Sequence, residues 1–490
     1  MIITPDSQVI LLKNIRLAKD SLETFSFTDL EEQENFFKSK LVASFTDLYY
    51  LKENTKRIRL EIEMQKVFNV NYCMFKNTAF NNKWFYAYIT DIIYLNNTTV
   101  EFTYELDYWQ TYLFDKKLVE CFVEREHVED DTMGINTVPE SLETGEYVVQ
   151  QDISDSDRIG CCVYALNNNV EVTGEFINNI YSPLNATAWK ADDLGILNDH
   201  LTAYSATPDL ITHISSIPYK MIDTDGGVPK EYEENPYISQ LKRFGNYHPV
   251  NNKLFTYPYS YVAIDDFNGN AEEYRWEDFK DKGLAYFRIK GSPNPRPAIM
   301  IYPEFYKGMI DPTDLGIVSE NFPLCAWTSS AYTQWVAFNG TSNFLSGGAS
   351  GLVAVASMGV GNTAGVVAGI SGVVNAVKEV ENHKRLGNTL HGSVGNGNVN
   401  IANGYVGFRI REYSIKPEFA KIIDEYFTRY GYAINRYKVP NITGHAGCNF
   451  VKTNNAKIVG NIPQSAQIKM QADLNTGFTF WHNPETAGTL

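Results

Sequence analysis

Several groupings of reactive side chains stand out in the sequence, and none completes a site. Glu124, Glu126, His127, Glu129, Asp130 and Asp131 put five carboxylates and an imidazole within one short run. Such a set can hold a cation if its oxygens converge; the competing reading is a solvated strand end. Asp223-Thr224-Asp225-Gly226 opens like a calcium loop, but the later ligand positions do not follow, so a tight turn is expected. Cys325 with His383 or His391 would make a thiol nucleophile and its base, yet nothing in the sequence brings them together. A cysteine buried among apolar neighbours would be inert in any case. Gly359, Gly361 and Gly365 are spaced one residue too widely for a dinucleotide loop. H-E-x-x-H, G-x-S-x-G and Walker patterns do not occur, and the eight histidines are dispersed. The reading is therefore of a protein without a catalytic constellation, metal or cofactor.

The elements that would position a functional group direct attention elsewhere. Asn321 to Val377 contains no Asp, Glu, Lys or Arg, and from Phe344 onward it is almost wholly Gly, Ala, Ser, Val and Leu. Its apolar side chains are Phe344, Leu345, Leu352, Val353, Val355, Met358, Val360, Val366, Val367, Ile370, Val373, Val374 and Val377. Leu352 to Val377 is long enough, at about 1.5 Å per helical residue, to cross a hydrocarbon core of about 30 Å. Small residues recur at four-residue spacing, Gly347 and Gly351, then Gly361, Gly365 and Gly369, a ridge that lets helices approach closely in lipid. Two readings stand: a membrane-active element, or a Gly-rich loop packed inside an assembly. They are compatible if the loop is sheltered first and exposed later. A Gly/Asn tail follows, with Gly395, Gly397 and Gly404 as a hinge.

Around this insertion the chain is acidic and aromatic, with a net charge of −16, 31 Tyr and 28 Phe. Aromatic residues favour strands. The acidic balance argues against nucleic-acid binding, which relies on Lys and Arg, although DNA can pass a like-charged wall without sticking. The N-terminus lacks the pattern of a signal peptide, and six scattered cysteines without a CxxC pair indicate a reduced, cytosol-made protein. The N-x-[ST] matches at Asn97, Asn185 and Asn441 therefore carry little weight.

In chain order, Asp29 and Glu32 resemble a capping box and predict a short helix over 29–40. Ile58, Leu60, Ile62 and Met64 alternate with Arg59, Glu61 and Glu63, and Val100, Phe102, Tyr104 and Leu106 alternate with Glu101, Thr103 and Glu105. Period two predicts half-buried antiparallel strands. Residues 84–95 and 100–106 read as a hairpin about Asn96-Asn97, and 118–126 as a further strand. A helix is expected from Trp189 to Tyr204 and another from Thr207-Pro208-Asp209. Pro417 begins a helix whose apolar stripe is Phe419, Ile422, Ile423, Tyr426, Phe427 and Tyr430, ended by Gly431. The expected fold is mainly β (α+β), with antiparallel barrel or sandwich tube domains, a few peripheral helices and a long apolar insertion. The segments are 1–150 as an N-terminal β-rich domain, 151–340 as a mixed central domain, 341–400 as the loop and hinge, and 401–490 returning to the first domain.

At NKWFYAYITDIIY (82–94) and LDYWQTYLFDKKLVECFVEREHV (106–128) the sequence resembles the tail-knob proteins of small short-tailed bacteriophages with protein-primed genomes, the best known infecting Bacillus. Further matches lie at 256–270, 429–441 and 475–484, in the same order, with 150–250 weakest. The Q-T-aromatic-x-F and F-V-x-R-E-H-V runs are the specific ones. The resemblance implies a homohexameric, largely β tube at the distal tip of the virion's tail, joined to upstream tail tube or lower collar proteins. Genomic DNA would pass through its lumen without specific binding. It also implies that the apolar loop, about Phe344 to Asn400 here, plugs the lumen and comes out on ejection to penetrate the host cytoplasmic membrane. The chain is shorter than the best-known members, which the resemblance places before the loop. Two other functions are compatible with a tail protein: a cell-wall hydrolase, which would need an acid–base pair or a metal, and a receptor-binding adhesin, placed in 150–340.

Overall fold

The alternating segments are realised as paired strands. The computed structural model describes residues 7–48, 56–166, 176–177, 180–181, 184–190, 211–266, 271–293, 298–307, 318–321, 324–326 and 405–487. The chain divides into two compact units, one made of Met1–Glu143, Val250–Lys253 and Lys421–Leu490, the other of Thr144–Pro249 and Leu254–Ala420. The fold is mainly β, as the alternation and aromatic content predict.

The first unit begins with β1 (Ser7–Lys13), β2 (Glu23–Phe25), α1 (Leu30–Ser39), β3 (Leu41–Leu48), β4 (Arg57–Glu61) and β5 (Val70–Asn77). It continues with β6 (Phe85–Asn96), β7 (Thr99–Leu106), α2 (Tyr108–Thr111), β8 (Lys116–Val119) and β9 (Cys121–Glu126). Six of these strands form a sheet in the order β3-β1-β5-β6-β7-β4. Its two apolar faces are packed by Ile10, Leu12, Tyr72 and Met74 on one side and Val9, Leu11, Cys73 and Val100 on the other. Glu101, expected on a polar face, is 3% exposed because Arg57 and Arg59 on the neighbouring strand close over it. The single strand expected over 118–126 is broken at Glu120, since β8 and β9 join different sheets. α1 is capped as expected: Asp29 accepts from the Glu32 amide at 2.8 Å. Glu32 itself turns to Thr28, accepting from its amide at 2.8 Å and its hydroxyl at 2.7 Å.

The second unit holds β10 (Tyr147–Leu166), β11 (Phe176–Ile177), β12 (Ile180–Tyr181), β13 (Leu184–Trp189), β14 (Ile211–Pro218), β15 (Tyr232–Glu234), β16 (Tyr237–Ser239) and β17 (Ser260–Asp265). After these come β18 (Ala271–Tyr274), β19 (Leu284–Ser292), β20 (Ala298–Glu304), β21 (Val318–Asn321), β22 (Leu324–Ala326) and β23 (Tyr405–Ile415). A seven-stranded sheet runs β18-β17-β23-β10-β14-β22, with β13 also paired to β10. A five-stranded sheet runs β15-β19-β20-β21, with β16 on β19. Trp189, the expected start of a helix, instead ends β13 and is 1% exposed. The remainder of that expected helix and the one at 207–209 lie outside the described residues.

The chain then forms α3 (Pro417–Tyr430), β24 (Tyr432–Lys438), β25 (Cys448–Asn454), β26 (Lys457–Gly460), α4 (Gln464–Thr476) and β27 (Phe478–Trp481). β24, β25 and β27 complete a sheet of the first unit, in the order β2-β27-β25-β9-β24. Within α3, Ala420, Ile423 and Phe427 are buried, whereas Ile422 is 64% exposed, so the true stripe is narrower than the expected one. Gly431 ends the helix with φ +64°, and a Cβ there would lie 2.2 Å from the Glu126 carbonyl oxygen. Only glycine meets both demands.

Candidate functional site

Two described strands bracket the part of the uncharged stretch that follows Ala326. β22 ends at Ala326 and β23 begins at Tyr405, and both belong to the seven-stranded sheet. Between them stand β14 and β10. The register runs from Ala326 to His213 on β14, from His213 to Tyr164 on β10, and from Tyr405 to Arg158 on β10. All these pairs are antiparallel, so the chain leaves along β22 and returns along β23 at the same end of the sheet. Three interstrand steps of about 4.8 Å and six residues of about 3.3 Å separate the two roots, on the order of 25 Å in a flat sheet. The loop residues Phe344 to Val377, its packing glycines and the hinge Gly395, Gly397 and Gly404 lie outside the described residues.

The two roots are unequally held. β22 is a three-residue strand that, among the described residues, pairs with β14 alone. β23 is eleven residues long, lies between β10 and β17, and buries Phe408, Ile410 and Ile415. Gly407 lets it approach β10: a Cβ there would meet the Asp155 carbonyl oxygen at 1.9 Å. Arg409 donates two hydrogen bonds to Asp265, at 3.1 and 3.0 Å, and Arg411 donates to Asp152 at 3.0 Å. Tyr413 stacks on Tyr261 with ring centroids 5.3 Å apart. On the opposite face Glu412 is 1% exposed, accepting from Gln151 at 2.6 Å and from the Leu241 amide at 3.2 Å. Burial pushes its carboxyl up to about 7, against the pull of those donors.

The reactive groupings of the sequence resolve into structural contacts. The acidic run is not a solvated strand end throughout, because β9 is flanked by β25 and β24. Glu126 is buried, ion-paired with Lys438, and accepts from the Asn441 amide at 2.9 Å. Glu124 pairs with Lys452, Asp130 takes the Thr132 amide, and Asp131 accepts from Tyr432 and the Asn252 amide. Among the described residues no group of three or more His, Cys, Asp or Glu is arranged to hold a metal ion. Asp223 to Gly227 forms a turn in which Asp225 accepts from the Lys190 amide and Asp223 pairs with Lys230. Cys325 lies on β22, while His383 and His391 lie outside the described residues. Cys73, Cys121, Cys161, Cys162 and Cys448 are buried free thiols, and burial pushes Cys73 and Cys161 up to about 12.

The two specific runs also acquire a physical meaning. Gln110 is buried and donates to Thr24 at 2.7 Å and to the Phe25 carbonyl at 2.8 Å, while Gln33 donates to its side-chain oxygen at 2.9 Å. Thr111 accepts from the Tyr86 amide at 3.0 Å, and Asp107 caps α2 while accepting from Tyr72 at 2.8 Å. In the second run, Arg125 and Lys253 both pair with Glu140, which is 1% exposed. These polar knots pin α2 and β9 within the first unit. Sequence reasoning missed Glu140 and Lys253 as partners; they are far apart in the chain, and no local pattern marks them.

The described residues define an architecture, a mainly antiparallel β fold with a charge-free insertion leaving one of its sheets, and not by themselves an activity. Comparison with known proteins narrows this. The chain matches the tail knob protein gp9 of Bacillus phage phi29, C-terminal domain, over residues 227–489, and belongs to that family. Residues 5–117 match the N-terminus of the caudoviral major tail protein. Tail knob protein gp9 of Bacillus phage B103 is 24% identical, covering 97% of this chain and 96% of its own length, and that of phage phi29 is 23% identical with the same coverage. The bacteriophage C1 tail knob protein gp12 shares the fold, with a TM-score of 0.66 at 16% identity, covering 98% of this chain and 97% of its own.

Proposed function

We propose that this tail knob protein is a homohexameric distal tail tube, through which the genome leaves the virion, closed by six copies of the uncharged loop that later enter the host cytoplasmic membrane. The observation that carries this reading is the frame: the chain beyond Ala326, free of Asp, Glu, Lys and Arg as far as Val377, leaves along β22 and returns along β23 at one end of a single sheet. A loop so rooted can move without unthreading the sheet on either side. Its small residues suit close packing in a tube and in lipid alike, because both settings reward close helix approach. The missing charge matters for insertion, where one central Asp or Lys costs about 2.5–3.5 kcal/mol per copy. The family match and the major-tail-protein match at residues 5–117 support a tail role. No chemistry is assigned to the chain.

The test is liposome dye release and phage infectivity for Val367→Asp and Val373→Asp. Both are expected to fall steeply while the protein still assembles. Unchanged leakage and infectivity in both variants would remove the membrane role.

A further inference from the structure

Three histidines far apart in the sequence come together in the first unit, His127 stacked on His445 and Asn449 joining His445 to His482. His127, just past the end of β9, is buried, and its ring stacks on that of His445 with centroids 4.4 Å apart and planes 12° from parallel. Both ring nitrogens of His127 are committed: Nδ1 accepts from the Phe450 amide at 2.8 Å, and Nε2 faces the Thr428 carbonyl of α3 at 3.0 Å. The arrangement is reciprocal, since the His127 amide donates to the Phe450 carbonyl at 3.2 Å. It fixes the neutral tautomer with the proton on Nε2. Nδ1 of His445 faces the Cys448 carbonyl at 3.0 Å. Asn449, fully buried, accepts at Oδ1 from the His445 amide at 3.1 Å and lies 2.8 Å from Nε2 of His482, beyond β27.

We propose that His127, stacked on His445 and linked through Asn449 to His482, is the acid-labile member of a catch that holds β9, the 441–450 segment, the end of α3 and the C-terminal strand together and that opens when the His127 ring is protonated. A proton on Nδ1 of His127 removes the acceptor that the Phe450 amide uses. The charged groups nearby do not offset this. Arg125, two residues earlier on β9, opposes a further positive charge, as does His445. Glu126 is taken by Lys438, and Asp424, one turn before Thr428 on α3, accepts from the Val250 and Asn251 amides. Glu129, in the turn that follows, has its side chain against Gly444. Burial and His445 push His127 down to about 4, and burial and His445 also push His482 down.

The sign follows from proton uptake. The open form binds a proton near the ordinary histidine value of 6.5 and the closed form only near 4, so closure is fully favoured above pH 6.5 and weakens as pH falls toward 4. Between pH 7.5 and pH 5 the local opening constant should rise roughly 30-fold.

The experiment is hydrogen exchange followed by mass spectrometry on the full-length protein at pH 7.5 and pH 5, corrected for intrinsic exchange. Peptides covering 445–454 should lose protection by about that factor while β1 and β5 do not. His127→Gln, which keeps an acceptor and a donor but does not titrate, should flatten the response. His445→Gln, which removes the stacked neighbour, should reduce it. Equal protection at both pH values in the wild type would overturn the proposal. So would an undiminished response in whichever of the two variants retains the wild-type exchange pattern at pH 7.5.

Discussion

At the scale of residues, the runs around Gln110 and Arg125 are structural fastenings. Glu140 sits between Lys253, 3% exposed at its side chain, and Arg125, 12% exposed, so its removal would strand two cations. Glu140→Ala should destabilise the first unit by about 3–5 kcal/mol, read from denaturant unfolding. Replacing Lys253 and Glu140 together by apolar residues should cost less, because only the less buried Arg125 is then left without its carboxylate. Gln110 presents the same logic with neutral groups. Gln110→Leu would leave Gln33, Thr24 and the Phe25 carbonyl short of a partner and should cost about 2–3 kcal/mol, whereas an exposed substitution such as Glu31→Gln should be nearly silent. None of these partners was legible in the sequence. Hydrogen bonds between Gln33 and Gln110, or ion pairs between Glu140 and Lys253, depend on the tertiary meeting of segments that no periodicity records. The histidine trio was missed for the same reason: His127, His445 and His482 read as dispersed.

At the scale of elements, much more was readable. Alternation of period two located β4 and β7, the hairpin reading located β6, and Pro417 and Gly431 bounded α3, because these signals are written in neighbouring residues. What alternation cannot say is which strand lies beside which. Glu120 therefore looked like one position in a single strand, though β8 pairs with β26 and β9 with β25 and β24. Trp189 looked like the start of a helix, though its partner is Cys161 across a strand pair. The unequal roots of the insertion give an element-scale expectation. Gly407→Ala forces a Cβ into the Asp155 carbonyl and should weaken the β10–β23 pairing by about 1–3 kcal/mol or more, seen as lower thermal stability. Limited proteolysis of the wild type should cut beside the three-residue β22 before it cuts beside the eleven-residue β23, and the reverse order would contradict the assignment of a weak and a firm root.

At the scale of the whole molecule, acid acts in opposite directions on one buried group in each unit, Glu412 and His127. Glu412, in the second unit, has its carboxyl raised to about 7 by burial, so the native state holds a proton there that the unfolded chain, near 4.5, has released. Its contribution is present below about pH 4.5 and fades as pH rises through 7. His127, in the first unit, has the opposite sign. From pH 7.5 to pH 5, exchange protection around Glu412 should therefore hold or grow while that around Phe450 falls, and Glu412→Gln should flatten the first trend only. The functional centre itself was legible in one respect and not in another. Composition marked the charge-free insertion at once, because an uncharged run of small residues is rare beside an acidic body. That both of its roots lie at one end of one sheet follows only from strand order and register.

The claim on which the account turns is that this insertion fills an axial cavity of an assembled tube. Electron-microscope images of the purified protein test it directly, comparing the wild type with a variant in which 344–400 is replaced by a Gly-Ser linker of about 20 residues, enough to span roots some 25 Å apart. The account expects six-fold rings in both, with density on the axis of the wild type and an open axis in the variant. Solitary particles without an axial cavity, or axial density that persists once the loop is gone, would contradict it.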